Sequence, residues 1–223
     1  MSHKIAIHSA PHINLYGCGG TGSHVLLGLA RLNMAIVNLG AKAFHVNVYD
    51  PDIVEEGNVG RQAFSTTEIG INKAHALVDR VNLHYGTGWY SYAQKAPASS
   101  DAEVIISCVD SGESRKEIAD SVIRYNPYIV DCGNSRYQGQ VILGQYNGEL
   151  PNPYKENPEL LVSDKTEDQP PCTDPFYAQD LFINQIIATY ALHYVWFLFR
   201  KDQIDTRGVF VDIEKGITNP ISI

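Results

Sequence analysis

A chain of 223 residues with 44% hydrophobic and 19% charged side chains can bury a large core as one α/β domain, and its even composition excludes a fibrous or disordered protein. The formal net charge of −8 supplies no basic surface to release counterions, which argues against a nucleic-acid backbone as the main partner and leaves any nucleotide to a few local cations. Cys18, Cys108, Cys132 and Cys172 include no C-x-x-C pair, so neither a disulfide framework nor a zinc knuckle is expected, and a reducing cytoplasm fits best.

The first residues have no basic region followed by an apolar run, so no secretory signal is expected. Residues 13–16 form a short apolar strand that ends in Gly17-Cys18-Gly19-Gly20-Thr21-Gly22, and a helical pattern follows over 23–33. Residues 44–49 alternate apolar and polar and stop at Asp50-Pro51-Asp52, so a second strand delivers two carboxylates to its C-terminal edge. Ala74, Leu77, Val78 and Val81 give residues 72–85 one apolar helical face, and residues 89–93 read as a third strand. Residues 103–109 predict a buried strand, 114–124 a helix and 128–132 another strand. Strands alternating with helices imply a Rossmann-like, doubly wound and mostly parallel sheet.

Beyond Gly133 the pattern changes. Residues 140–146 predict a strand, and residues 150–175 show no periodicity while holding six of the eleven prolines, as a long exposed loop inside a single domain spanning 1–223. A long apolar helix is expected over 176–200, followed by closing antiparallel strands at 208–212 and 217–223. Within that helix, residues 181–199 are 19 positions without a charge, long enough for a membrane span. Asn184, Gln185, Thr189 and His193 argue instead for a buried or dimer-forming helix.

The glycine run satisfies the dinucleotide fingerprint: Gly17, Gly19, Gly20 and Gly22, with Thr21, let backbone N–H groups approach phosphates at a helix N-terminus. Asp50, at the tip of the second strand, is placed to accept hydrogen bonds from ribose hydroxyls. These features alone suit NAD as well as ATP. The next stretch discriminates. Asp50-Pro51-Asp52-Ile53-Val54, then Asn58-Val59-Gly60-Arg61-Gln62, then Gly70-Ile71-Asn72-Lys73-Ala74 resemble the adenylating superfamily of MoeB, ThiF and the ubiquitin-activating enzymes, whose pattern is D-x-D-x-V, N-x-x-R-Q and G-x-x-K-A after G-x-G-G-x-G.

The resemblance implies adenylation, with ATP and Mg²⁺, of the C-terminal carboxylate of a ubiquitin-like or sulfur-carrier protein. An ATP attacked at its α-phosphate needs its charge neutralised more than it needs acid–base chemistry. Arg61 suits the β- and γ-phosphates, Lys73 the α-phosphate and departing pyrophosphate, and Asn58 a polar contact, with Gln62 beside them. Asp110, after a buried strand, corresponds to the family's magnesium-binding aspartate; the plain readings are a solvated first-turn Lys73 and a helix N-cap at Asp110-Ser111-Gly112. Cys172, in Gln169-Pro170-Pro171-Cys172-Thr173, resembles the thioester or sulfur-transfer cysteine of the superfamily, while Cys18, Cys108 and Cys132 read as small core residues. A narrower resemblance, to ThiF-family proteins of the PRTRC cassette, rests on Asp50-Pro51-Asp52, Asn58-Val59-Gly60-Arg61-Gln62, Gln179-Asp180-Leu181-Phe182-Ile183-Asn184-Gln185 and Gly208-Val209-Phe210-Val211-Asp212.

The pattern departs from MoeB in two ways. No arginine lies among the twelve residues before the first strand, where MoeB-type members supply one to the partner protomer's ATP; Arg115 and Arg136 are the substitutes on offer. The paired C-x-x-C zinc site is also missing, so no structural zinc is expected. A homodimer is expected from the apolar helix. The rival functions are an NAD(P)-dependent oxidoreductase, which leaves Arg61 and Lys73 without a role, and a non-catalytic nucleotide-binding scaffold of a cassette complex.

Overall fold

The computed structural model describes residues 2–5, 10–97, 100–122, 126–162 and 179–223. In chain order the strands are β1 (His3–Lys4), β2 (His12–Tyr16), β3 (His45–Tyr49), β4 (Tyr90–Tyr92), β5 (Val104–Ser107), β6 (Tyr128–Asn134), β7 (Gln138–Gln145), β8 (Gln203–Ile204), β9 (Thr206–Asp212) and β10 (Ile217–Ser222). The helices are α1 (Gly20–Asn38), α2 (Lys73–Tyr85), α3 (Gly112–Ser121), α4 (Pro153–Glu156) and α5 (Ile183–Arg200).

One eight-stranded sheet runs in the order β10-β9-β7-β6-β5-β2-β3-β4, and β1 pairs with β8 in a small separate ribbon. Pairing from β4 through β6 is parallel, while β6-β7, β7-β9 and β9-β10 are antiparallel. This is the mixed, mostly parallel sheet with antiparallel C-terminal strands that the alternation of elements implies. The chain leaves β2 outward to β3 and β4 and then returns to β5 on the other side of β2. The strand order therefore reverses between β2 and β5, where open α/β sheets hold their ligands.

Alternation along the strands sorts the core into two layers. Ile13, Leu15, Val46, Val48, Val104, Ile106 and Val130 pack with α1, α2 and α5 on one face. Ile105, Ile129, Tyr16 and Tyr49 pack with Ile118 of α3 and Tyr154 of α4 on the other. Burying each large aliphatic side chain contributes about 1.5–3 kcal/mol before the entropy of ordering is subtracted.

Three expectations shift. The apolar helix expected over 176–200 begins at Ile183, the described residues 179–182 lying outside it. Helix α1 begins at Gly20 rather than after the glycine run, so Gly20, Thr21 and Gly22 belong to its first turn. Part of the proline-rich stretch is ordered: Pro153–Glu156 and Pro158–Leu161 form short helices, each opening on proline at its first turn, with the Asn152 side chain accepting from the N–H groups of Tyr154 and Lys155. Proline suits that position because its missing N–H has no intrahelical partner there. No described helix is long and apolar enough to cross a membrane.

Candidate active site

The C-terminal ends of β2, β3 and β5 and the start of α1 open into a cleft of about 1120 Å³. Each glycine of the turn has a different reason to lack a side chain. Gly17 has φ +86°, and a Cβ there would lie 2.7 Å from the Cys108 carbonyl oxygen of the neighbouring strand end. A Cβ on Gly22 would collide with the Gly17 carbonyl, and one on Gly20 would lie 2.4 Å from Oδ1 of Asn184. At Gly19 a Cβ meets nothing within 4 Å, so this backbone faces the open cleft. Gly19 is the N-cap of α1, which has no side-chain cap and no acidic residue in its first turn. Uncapped N–H groups at the positive end of a helix suit an anion.

Asp50 directly follows β3 and is 4% exposed. Its Oδ2 accepts the Cys18 N–H at 2.5 Å and its Oδ1 accepts the Asp52 N–H at 2.8 Å. Burial raises its pKa, against the opposing pull of those two N–H donors and of Lys73. The carboxylate therefore shapes the glycine turn as well as lining the cleft, a structural task that the ribose reading leaves out.

The next segment is sewn to α2. Asn72 caps that helix through the His75 N–H and donates its amide to the carbonyls of Asp50 and Asp52 at 2.8 and 2.9 Å. Lys73 follows at 8% exposure, with Nζ 3.1 Å from Oδ2 of Asp52. The solvated first-turn reading of Lys73 thus fails, since its ammonium is drawn into the cleft wall. Asn58 accepts the Glu55 N–H at 3.0 Å in a capping box and also lines the cleft. Arg61 donates from Nη1 to Oε1 of Gln179 at 3.2 Å, and its buried Nε has no partner among the described residues. Gln62 is 7% exposed, with a buried Oε1 also unpartnered among them.

Across the cleft, Asp110 follows β5 and is exposed. The N-cap of α3 is Ser111, whose side chain accepts the Ser114 N–H, so Asp110 is not spent on capping. Among the described residues, no group of three or more His, Cys, Asp or Glu side chains is disposed to hold a metal ion. Asp110 is thus a lone exposed carboxylate at the cleft, and Mg²⁺ bound with a nucleotide commonly takes only one or two carboxylates beside phosphate oxygens.

Neither substitute arginine reaches the cleft as a free charge. The Arg115 guanidinium is 7% exposed, donating from Nε to Oδ1 of Asp131 at 3.1 Å and from Nη2 to the Cys132 carbonyl at 3.2 Å. Tyr154 donates its hydroxyl to the same Asp131 oxygen at 3.2 Å, which ties α4 to the sheet. Arg136 stacks over the Tyr137 ring, 4.9 Å from its centroid. Cys18 and Cys132 are buried thiols with raised pKa values, Cys18 mainly through burial and Cys132 through its hydrogen bond with Cys108 and burial. They are core residues, as expected, whereas Cys108 is half-buried at the cleft. Cys172 lies outside the described residues.

Sequence reasoning missed a polar network behind the turn. Thr21 Oγ1 donates to Oδ1 of Asn134 or of Asn184, at 3.1 and 3.2 Å, and Asn134 Nδ2 donates to Oδ1 of Asn184 at 3.3 Å. Asn184 is 2% exposed and passes its own amide to Gln179. The available signal was an asparagine inside an otherwise apolar helix, since a buried amide must find partners.

Fold and cleft together define a Rossmann-like domain of the nucleotide-binding class. The chain belongs to the ThiF family, whose model matches residues 5–212. It is 29% identical over 161 residues to the adenylyltransferase and sulfurtransferase UBA4 of Eremothecium gossypii, covering 69% of this chain and 34% of that protein. It is 30% identical over 118 residues to the ATP-dependent ubiquitin transferase-like protein Cap2 of Enterobacter hormaechei subsp. hoffmannii, covering 53% of this chain and 16% of Cap2. Among solved structures, PaaA superposes with a TM-score of 0.70 at 16% identity, covering 96% of this chain and 64% of PaaA. The complex of E. coli MccB with ATP gives 0.62 at 15% identity, covering 95% and 63%. The chain spans about a third or less of these curated relatives and under two thirds of these structural neighbours.

Proposed function

We propose that this chain is an ATP-using adenylyltransferase that activates the C-terminal carboxylate of a small ubiquitin-like or sulfur-carrier protein. The observation that carries this reading is the meeting, in one cleft, of an uncapped helix N-terminus with Lys73, Arg61 and Asn58 and with the exposed carboxylate of Asp110. The names of the relatives support it, one an adenylyltransferase and sulfurtransferase and one an ATP-dependent ubiquitin transferase-like protein. The cleft is also lined by Phe210, Asp212 and Ile217 on β9 and β10, the side from which an extended tail would approach the glycine turn.

In the reaction, a carboxylate oxygen of the tail attacks the α-phosphorus, the bond to the β-phosphate oxygen breaks, and an acyl adenylate and pyrophosphate result. The N–H groups at Gly19 and the first turn of α1 receive phosphate oxygens. Lys73 stands by the charge that develops on the leaving pyrophosphate, with Asp52 holding the ammonium in place until phosphate competes for it. Arg61 offers a planar fork to the outer phosphates, and Asn58, its oxygen used in the capping box, keeps N–H donors for them. Asp110 would hold Mg²⁺, which supplies charge neutralisation of the triphosphate. Much of the acceleration comes from alignment of tail and phosphate. Cys172 is assigned the later acyl or sulfur step. We read residues 1–223 as one adenylating domain, acting as a homodimer in the cytoplasm.

ATP–pyrophosphate exchange with candidate ubiquitin-like proteins from the same gene neighbourhood tests the reading. Exchange that depends on the partner's intact C-terminus supports it; ATP binding without exchange for any such partner favours the scaffold function.

A further inference from the structure

The two arginines lining the cleft are held in opposite ways. Arg115 is locked against the carboxylate of Asp131, which neutralises it. Arg61 has no carboxylate partner among the described residues, and its hold is the neutral amide of Gln179, whose Oε1 accepts from Arg61 Nη1 at 3.2 Å. That oxygen also accepts Asn184 Nδ2 at 3.3 Å. Asn184 is itself fixed at 2% exposure, its Oδ1 within hydrogen-bond distance of Thr21 Oγ1 and of Asn134 Nδ2. A continuous chain of side chains thus connects the first turn of α1, where the glycine turn ends, to the guanidinium 118 residues upstream of Gln179.

We propose that Gln179 is a positioning residue that aims Arg61 at a polyphosphate, and that an amide serves here because it fixes the fork without cancelling its charge. This rests on the adenylyltransferase reading. A guanidinium carries five N–H donors, so one bond to Gln179 leaves the rest for phosphate oxygens. A carboxylate at the same place would grip Arg61 more tightly and would set a negative charge beside the triphosphate. The amide oxygen is in turn oriented by Asn184, so the aim of Arg61 is referred to the same helix terminus that receives the phosphates.

The test is equilibrium binding of MgATP, by calorimetry, to the full chain and to Arg61→Ala, Gln179→Leu, Gln179→Glu and the double variant Arg61→Ala/Gln179→Leu. Gln179→Leu is expected to weaken binding about tenfold, the scale of one lost hydrogen bond to a charged group. The double variant should bind no more weakly than Arg61→Ala alone, because the two side chains act as one unit. Gln179→Glu, equal in shape, should bind at least as weakly as Gln179→Leu, whereas a packing role predicts near wild-type affinity; this variant also decides the matter if Gln179→Leu does not fold. Wild-type affinity in both Gln179 variants, or additive losses in the double variant, overturns the inference while leaving the adenylyltransferase reading standing. A wild-type chain that binds no MgATP removes that reading and the inference with it.

Discussion

Lys73 is the residue whose surroundings say most about the chemistry. A first-turn lysine normally extends into water, yet this one is 8% exposed and ends 3.1 Å from a carboxylate at the wall of the cleft. Lys73→Ala is therefore expected to reduce the exchange rate by about 10²–10³, the scale of losing one oriented transition-state contact. Asp110→Ala should abolish exchange, whereas Cys172→Ala should spare exchange and lose only the subsequent transfer. Loss of exchange in Cys172→Ala contradicts the assigned roles. A different outcome belongs to Arg115. Removing its side chain strands a fully buried Asp131, so Arg115→Ala should lower stability by about 3–5 kcal/mol in urea denaturation, with the loss appearing as a shifted midpoint. At this scale the short-range part of the site was legible. Asp52, Asn58, Arg61, Gln62 and Lys73 fall within one stretch of sequence, and the structure brings all of them to one cleft. Asn134, Gln179 and Asn184 were not, because their partners lie 50 to 163 residues away except within the pair Gln179–Asn184. No local period records that.

Among the elements, the glycine turn is held by Asp50 and the long helices by a close approach. The Asp50 pKa is raised from its ordinary value of 3.8, burial being the largest cause. The folded state therefore binds a proton more readily than the unfolded chain, and this group's contribution to stability falls as pH rises from about 3.8 through the raised value. Unfolding free energies of wild type and Asp50→Asn, measured by urea from pH 4 to 7, should show the wild type losing ground relative to the variant over that window. A difference that grows in favour of wild type would contradict the direction of the shift. Helices α1 and α5 meet at Gly28, where a Cβ would lie 2.0 Å from Cδ1 of Leu192. Gly28→Val should destabilise by about 1–3 kcal/mol through overpacking, read as a lower melting temperature. The strands were readable because the buried parallel ones are nearly continuous apolar runs, as at Val104–Ser107. The start of α1 was misread because glycines signal a loop locally, while the close packing of Gly20 against Asn184 is visible only in three dimensions. The short helices at Pro153 and Pro158 carried their own signal, an asparagine followed by proline, which prolines counted as loop residues concealed.

For the molecule as a whole, packing changes the weight of one argument. The apolar surplus of α5 that led to the homodimer expectation is largely taken up inside the chain, where Ile183, Ile187, Ala188, Ala191, Val195 and Leu198 are buried with the core. The half-buried Tyr190, Trp196, Phe197 and Phe199 are the apolar surface that α5 still has to offer a second copy, and sedimentation of the purified chain decides whether it is used. The reversal of strand order between β2 and β5 coincides with the cleft at the C-terminal edge of the sheet, where open α/β sheets hold their ligands. The central claim is that the cations between β3 and α2 serve a triphosphate. Its most direct test is competition between MgATP and NADH for the purified protein, followed by intrinsic fluorescence or calorimetry, in wild type and Lys73→Ala. The account predicts saturable MgATP binding that NADH does not displace and that Lys73→Ala weakens; tight NADH binding, unaffected by Lys73→Ala, would contradict it.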